Sequence, residues 1–194
     1  FHSALGLRPG VTVAADRLRA AGHVVHTPDL FRGHAYFDDP EPAVRYCRSE
    51  LGLNELLGRA REAVEPLPAE LVYSGFSLGA SFAALLAAGR PGARAALLLS
   101  GCPAPEAVGA ARWPAEVPVQ IHRMIDDPWM DSSSVRRLAA FVRAAGGRCV
   151  VSDYAGSGHL FADPDLPDFE PAAANLLWQR TLAFLTWLDG SSPS

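Results

Sequence analysis

Apolar residues in this chain follow two alternating rhythms, short continuous runs and longer stretches at helical spacing. The runs are Phe1 to Ala4, His23 to Thr27, Leu71 to Phe76, Ala93 to Ser100, Val117 to His122 and Arg148 to Ser152. Between the first two, Val13, Ala14, Leu18 and Ala21 recur at helical spacing and Gly22 can act as the left-handed stop. Further helical patterns span Val44 to Val64, interrupted near Gly52, then Leu78 to Ala88, Ser132 to Ala145 and Pro171 to Leu188. Ala93 to Ser100 is the unbroken apolar strand that burial on both faces demands. Strands and helices alternating over short connections predict an α/β fold, a mostly parallel sheet of about six strands with helices on both faces and right-handed crossovers. Phe31 to Pro42 is too long for a simple connector and is expected to roof a pocket.

At 194 residues and 49% hydrophobic content, the chain suits a single domain over residues 1–194. Its net charge is −4 and its 17 basic residues are all Arg, scattered without a run, so no nucleic-acid partner is expected. Cys47, Cys102 and Cys149 are odd in number and set among apolar residues, which reads as reduced thiols in a cytoplasm. No apolar run approaches the roughly 20 residues that span a bilayer, and no basic-then-apolar leader precedes the first run. The expectation is a soluble, cytoplasmic protein, a monomer or weak homodimer with no membrane partner. Because the sequence opens at Phe1-His2-Ser3 as though inside a strand, a few upstream residues are expected to be missing. His23 and His26 have a metal-like spacing, but residues three apart on a strand face opposite sides. Neither a metal nor a cofactor is expected.

Candidate chemistry centres on Gly75-Phe76-Ser77-Leu78-Gly79, which joins an apolar run to a small-residue helix. A serine held at so sharp a turn needs neighbours without a Cβ, and Gly75 and Gly79 provide them. Ser74 and Ser81 lack that frame. Parallel strands end on one edge of the sheet, so residues just past their ends converge there. Those residues are Ala4, Ser77, the pair Asp126-Asp127 and His159. They are a nucleophile, an acid and a base in the chain order Ser, Asp, His. Serine needs a base with a pKa near neutrality, histidine supplies it, and a carboxylate on its other nitrogen orients the ring. The backbone amides of Leu78 and Ala4 are the expected oxyanion donors. Cys102 follows a buried strand with no histidine nearby in sequence and reads as a small core hydrophobe.

Over nearly its whole length the chain resembles the dienelactone hydrolases of the α/β-hydrolase fold. The likeness rests on His2-Ser3-Ala4-Leu5-Gly6-Leu7, on Ala20 to Leu30, on Gly75-Phe76-Ser77-Leu78-Gly79, on Asp127-Pro128-Trp129 and on Gly156-Ser157-Gly158-His159-Leu160-Phe161. It implies that the acid is Asp127, before a Pro-aromatic pair, and that His159 is the base. It implies a minimal sheet and hydrolysis of a small carboxylic ester, lactone or thioester. Where the namesake enzymes carry a cysteine nucleophile this chain has Ser77, so the intermediate would be an acyl-serine. Tyr36, Phe76, Arg123 and Trp129 are expected at the substrate, with Arg32 and Arg45 as further candidates for meeting an anionic group. The competing expectation is a non-catalytic module of the same fold that binds a ligand or a partner.

Overall fold

Four of the six apolar runs are strands: β1 (Val72–Phe76), β2 (Ala95–Leu99), β3 (Val119–Met124) and β4 (Cys149–Tyr154). In the computed structural model of the chain, which describes residues 1–34 and 37–190, they form one parallel sheet in chain order. The helices are α1 (Pro9–Ala20), α2 (Pro40–Arg45), α3 (Leu53–Val64), α4 (Leu78–Gly89), α5 (Pro105–Val108), α6 (Ser132–Ala144) and α7 (Pro171–Gly190). Pro40 and the Asp39 carboxylate, which accepts from Glu41 N at 2.9 Å, start α2. A π-helical turn over Tyr46–Leu51 then carries the chain to Gly52, whose φ of +82° ends it before α3. The interruption expected near Gly52 is therefore present.

Alternation along β2 shows how the layers are assigned. Ala96 and Leu98 face α3, α4 and α6, packing with Leu56, Ala83 and Leu138, whereas Leu99 meets α1 and α7 through Ala14 and Leu177. Ala95 and Leu97 share that second face with Phe184, Leu185 and Leu188 of α7. Helices thus cover both faces of the sheet, as the continuous apolar run demanded. Four of the five alanines on α4 (Ala80, Ala83, Ala84, Ala87) are fully buried, and their small side chains let the helix lie close on β1 and β2.

Among the described residues the sheet has four strands rather than about six. Phe1 makes the two hydrogen bonds of a parallel neighbour to β1, its ammonium to Ser74 O at 2.7 Å and its carbonyl from Phe76 N at 3.1 Å. The ladder stops there, because Ser3 turns back to bridge Gly6. The 23–27 run consequently has no strand beside it among the described residues. His23, Val25 and Thr27 are half-buried while Val24 and His26 are exposed, the alternation of an extended chain lying on one face. Its restraints are local, His23 N to Leu18 O at 3.2 Å and the Arg19 guanidinium to Val25 O at 2.8 Å. Among the described residues no helix is long and apolar enough to cross a membrane, and all three cysteines are free.

Candidate active site

Between β1 and α4 the chain reverses at a single residue, Ser77, which has φ +51° and ψ −111°. Two contacts hold this unfavourable backbone: Ser77 N donates to Leu99 O at the end of β2 (2.8 Å), and Ser77 O accepts from Ala80 N (3.0 Å). The glycines around it are steric necessities. A Cβ on Gly75 would sit 2.2 Å from the Gly79 carbonyl, and one on Gly79 would sit 2.5 Å from both Phe1 O and His2 O. Gly101, past the end of β2, abuts Ser77 itself, its Cβ position only 2.3 Å from Ser77 O. Its neighbour Ser100 is likewise left-handed, at φ +50°. Sequence reasoning missed Gly101; the Ser100-Gly101 pair closing a buried strand was the available signal.

Three side chains meet in one hydrogen-bonded line at this turn. His159 Nε2 lies 2.8 Å from Ser77 Oγ, and His159 Nδ1 lies 2.7 Å from Asp127 Oδ2. Asp127 follows β3 and its side chain is 0% exposed, against 14% for His159. Its second oxygen accepts Trp129 N–H at 2.8 Å, so both oxygens of the buried carboxylate are engaged. A carboxylate accepting from Nδ1–H leaves Nε2 as the acceptor facing the hydroxyl. Asp126 is exposed beside it, and Asp131 takes the capping role, accepting from Ser133 N and Ser134 N at the start of α6. Hydrogen bonds from Ser133 and Ser134 hold the Asp131 carboxyl well below the usual range.

Glycine and aspartate shape the loop that carries His159. Gly156 takes φ +125°, and a Cβ on Gly158 would sit 2.7 Å from Asp168 O. The Asp168 carboxylate accepts His159 N–H at 2.8 Å, fixing the backbone of the histidine from nine residues downstream. No local pattern in the sequence pointed to Asp168.

Of the two expected oxyanion donors, Leu78 opens α4 directly after Ser77, and Ala4 follows Phe1 and His2, whose carbonyls abut Gly79. Neither amide donates to a protein acceptor among the described residues. Phe37 N to Leu5 O (2.8 Å) and the buried Cys47 against Ala4 O (3.8 Å) back the Ala4 loop. In the 31–42 stretch, expected to roof a pocket, Phe31, His34 and Phe37 pack with Tyr46 in an aromatic cluster. Tyr36 lies outside the described residues. Trp129 stands beside the histidine, ring centroids 6.0 Å apart, and is half exposed.

Two other expected substrate residues are occupied elsewhere. Phe76 packs with Leu5 and Leu160 and with the core around Leu99 and Phe161. Its parity on β1 is the reason, since it shares the face toward α1 and α7. Arg123 donates to Asp153 Oδ1 (2.7 Å) and Ser132 Oγ (2.6 Å), which ties β3 to β4 and α6. Arg32 pairs with Glu62, and Arg45 is exposed. Burial raises the Cys102 thiol to about 12, leaving it a poor source of thiolate. A surface depression of about 490 Å³ lies at the far end of α4, lined by Leu86, Gly89 and Arg90. That is roughly 18 Å along the helix from Ser77. Among the described residues no cluster of His, Cys, Asp or Glu is arranged to hold a metal ion.

The profile of the dienelactone hydrolase family matches residues 1–188. A carboxymethylenebutenolidase of Rhodococcus opacus is 27% identical over 207 aligned positions, covering 92% of this chain and 76% of its own. Among solved structures, a dienelactone hydrolase-like promiscuous phosphotriesterase from metagenomic libraries superposes with a TM-score of 0.78 at 19% identity, covering 97% of this chain and 84% of its own. An esterase of the planctomycete Thermogutta terrifontis gives 0.59 at 18% identity, over 77% of this chain and 71% of its own.

Proposed function

We propose that this chain, which belongs to the dienelactone hydrolase family, hydrolyses a small carboxylic ester, lactone or thioester through an acyl-serine intermediate. The observation that carries the reading is the unbroken line from Ser77 Oγ through His159 to the buried Asp127. In acylation Ser77 Oγ attacks the substrate carbonyl carbon while its proton passes to His159 Nε2, and the carbonyl oxygen becomes an oxyanion. The amides of Leu78 and Ala4 receive that oxygen, the first with the positive end of the 12-residue α4 behind it. Asp127 holds the ring and offsets the imidazolium charge without taking the proton itself. Collapse of the tetrahedral carbon breaks the bond to the leaving oxygen or sulfur, which takes the proton from Nε2 and becomes an alcohol or thiol. Water then enters by the same route, deprotonated by His159, and releases the acid and free Ser77.

Trp129, exposed beside His159, is the proposed wall for the substrate's apolar part. Lactones are among the first substrates to try, a choice supported by the similarity to a protein named carboxymethylenebutenolidase. The test is intact-mass spectrometry after exposure to a fluorophosphonate, with Ser77→Ala alongside. One adduct on the parent chain and none on the variant is the expected result. No adduct on a folded parent chain would sink the proposal and leave the ligand-binding module in its place.

A further inference from the structure

We infer, resting on the hydrolase reading above, that this site selects substrates with uncharged acyl groups and turns away those bearing a carboxylate near the scissile carbonyl. The two loops that present Asp127 and His159, residues 125–131 and 155–170, contain Asp126, Asp127, Asp131, Asp163, Asp165, Asp168 and Glu170 and not one Arg or Lys. Asp126, Asp165 and Asp168 are exposed and have no basic partner among the described residues. Asp168 touches the His159 backbone directly, at 2.8 Å. An anion approaching Ser77 therefore enters a field of its own sign.

The three arginines expected to meet an anion, and Arg8 as well, are spent or turned away. Arg8, almost fully buried behind Phe76 and Leu160, donates to Asp38 Oδ1 and to Phe37 O, both at 2.8 Å, and lies 3.7 Å from Asp163 Oδ2. Arg123 is held by Asp153 and Ser132, and Arg32 by Glu62. Ala43 and Cys47 both point inward, toward Leu5 and Ala4, so Arg45 midway between them points to solvent. What the same loops do offer is apolar. Ile125 and Trp129 are 52% and 55% exposed, and the indole stands at the histidine. Uncharged carbon has a surface to bury there, and a carboxylate has no partner.

The test compares p-nitrophenyl butyrate with mono-p-nitrophenyl succinate, nearly matched in length, on the full chain at neutral pH after subtraction of spontaneous hydrolysis. Near 0.01 M salt, where charges are felt over roughly 30 Å, butyrate is expected to lead in kcat/KM by about tenfold, the effect of a few like charges in water. The lead should shrink severalfold in about 1 M salt, where the screening length is roughly 3 Å. It should also shrink in the double variant Asp126→Asn, Asp165→Asn, with butyrate turnover retained. Equal turnover, or a lead for succinate at low salt, overturns the inference and leaves the hydrolase standing. Failure of both esters on a folded chain overturns the hydrolase reading and this inference with it.

Discussion

The elbow at Ser77 and the sheet edge formed by residues 1–8 and 23–27 are neighbours held by different means. At the elbow, backbone meets backbone: Gly75 against Gly79, Gly79 against Phe1 and His2, Gly101 against Ser77. Nothing there can yield by turning a side chain. At the edge, one rung from Phe1 reaches β1, Phe37 N–H reaches Leu5 O, and individual side chains supply much of the rest. His2 is the main one, its Nδ1 donating to Ser3 O (2.7 Å) and its Nε2 accepting Leu30 N–H (3.1 Å). Rigid geometry is thus built where the proposed chemistry sits, from contacts that tolerate no added atom. The adjoining edge depends on a titratable ring.

The sharpest way to break that contrast is Gly75→Ala. A methyl 2.2 Å from the Gly79 carbonyl cannot be accommodated without moving β1 or α4, so a loss of at least about 3 kcal/mol is expected. Thermal unfolding should show a Tm lower by roughly 6–12 °C, together with lost esterase turnover. A variant as stable and active as the parent would show that the elbow is not sterically closed.

Acid should act next, and on the edge. Burial lowers the His2 pKa from 6.5 to about 4, because the charged ring would lose its hydration there. The unfolded chain takes up that proton near the ordinary value and the folded chain does not. The stabilisation is therefore full above pH 6.5 and is lost as pH falls toward 4, on the order of 3 kcal/mol in all. His122, buried on β3 and bonded to Tyr154 OH, is lowered to about 3 by burial and then by Arg180, and adds to the same trend. Tm measured from neutral pH to pH 4 should fall more steeply for the parent than for His2→Gln. Identical slopes would remove His2 from the account.

The smallest effect is expected at Val24, 86% exposed on the unpaired 23–27 run. Val24→Ser should change stability by less than about 0.5 kcal/mol. A loss near 2 kcal/mol in denaturant titration would mean that the run is paired in solution after all.

Much of this molecule could be read along the chain, because the determining contacts are short in range or repeat with a period. The alternation of runs and helical stretches specifies a parallel sheet sandwiched by helices. A strand, then Gly-x-Ser-x-Gly, then a helix encodes the elbow, since Gly75 and Gly79 collide across only four residues. Ser77, His159 and the pair Asp126-Asp127 followed from their places just past strand ends, and the family resemblance singled out Asp127 within the pair. Tertiary structure alone decided the rest. Whether an extended run becomes a strand depends on what lies beside it, so residues 1–4 and 23–27 look like strands and, among the described residues, join no ladder beyond Phe1. Arginine is equally uninformative in a sequence: Arg8 and Arg123 became internal ties because carboxylates from distant segments happened to meet them. Asp168 on the His159 amide and Gly101 under Ser77 are of the same kind. Those contacts join segments far apart in the chain, and only the packing of the sheet edge brings them within reach of one another.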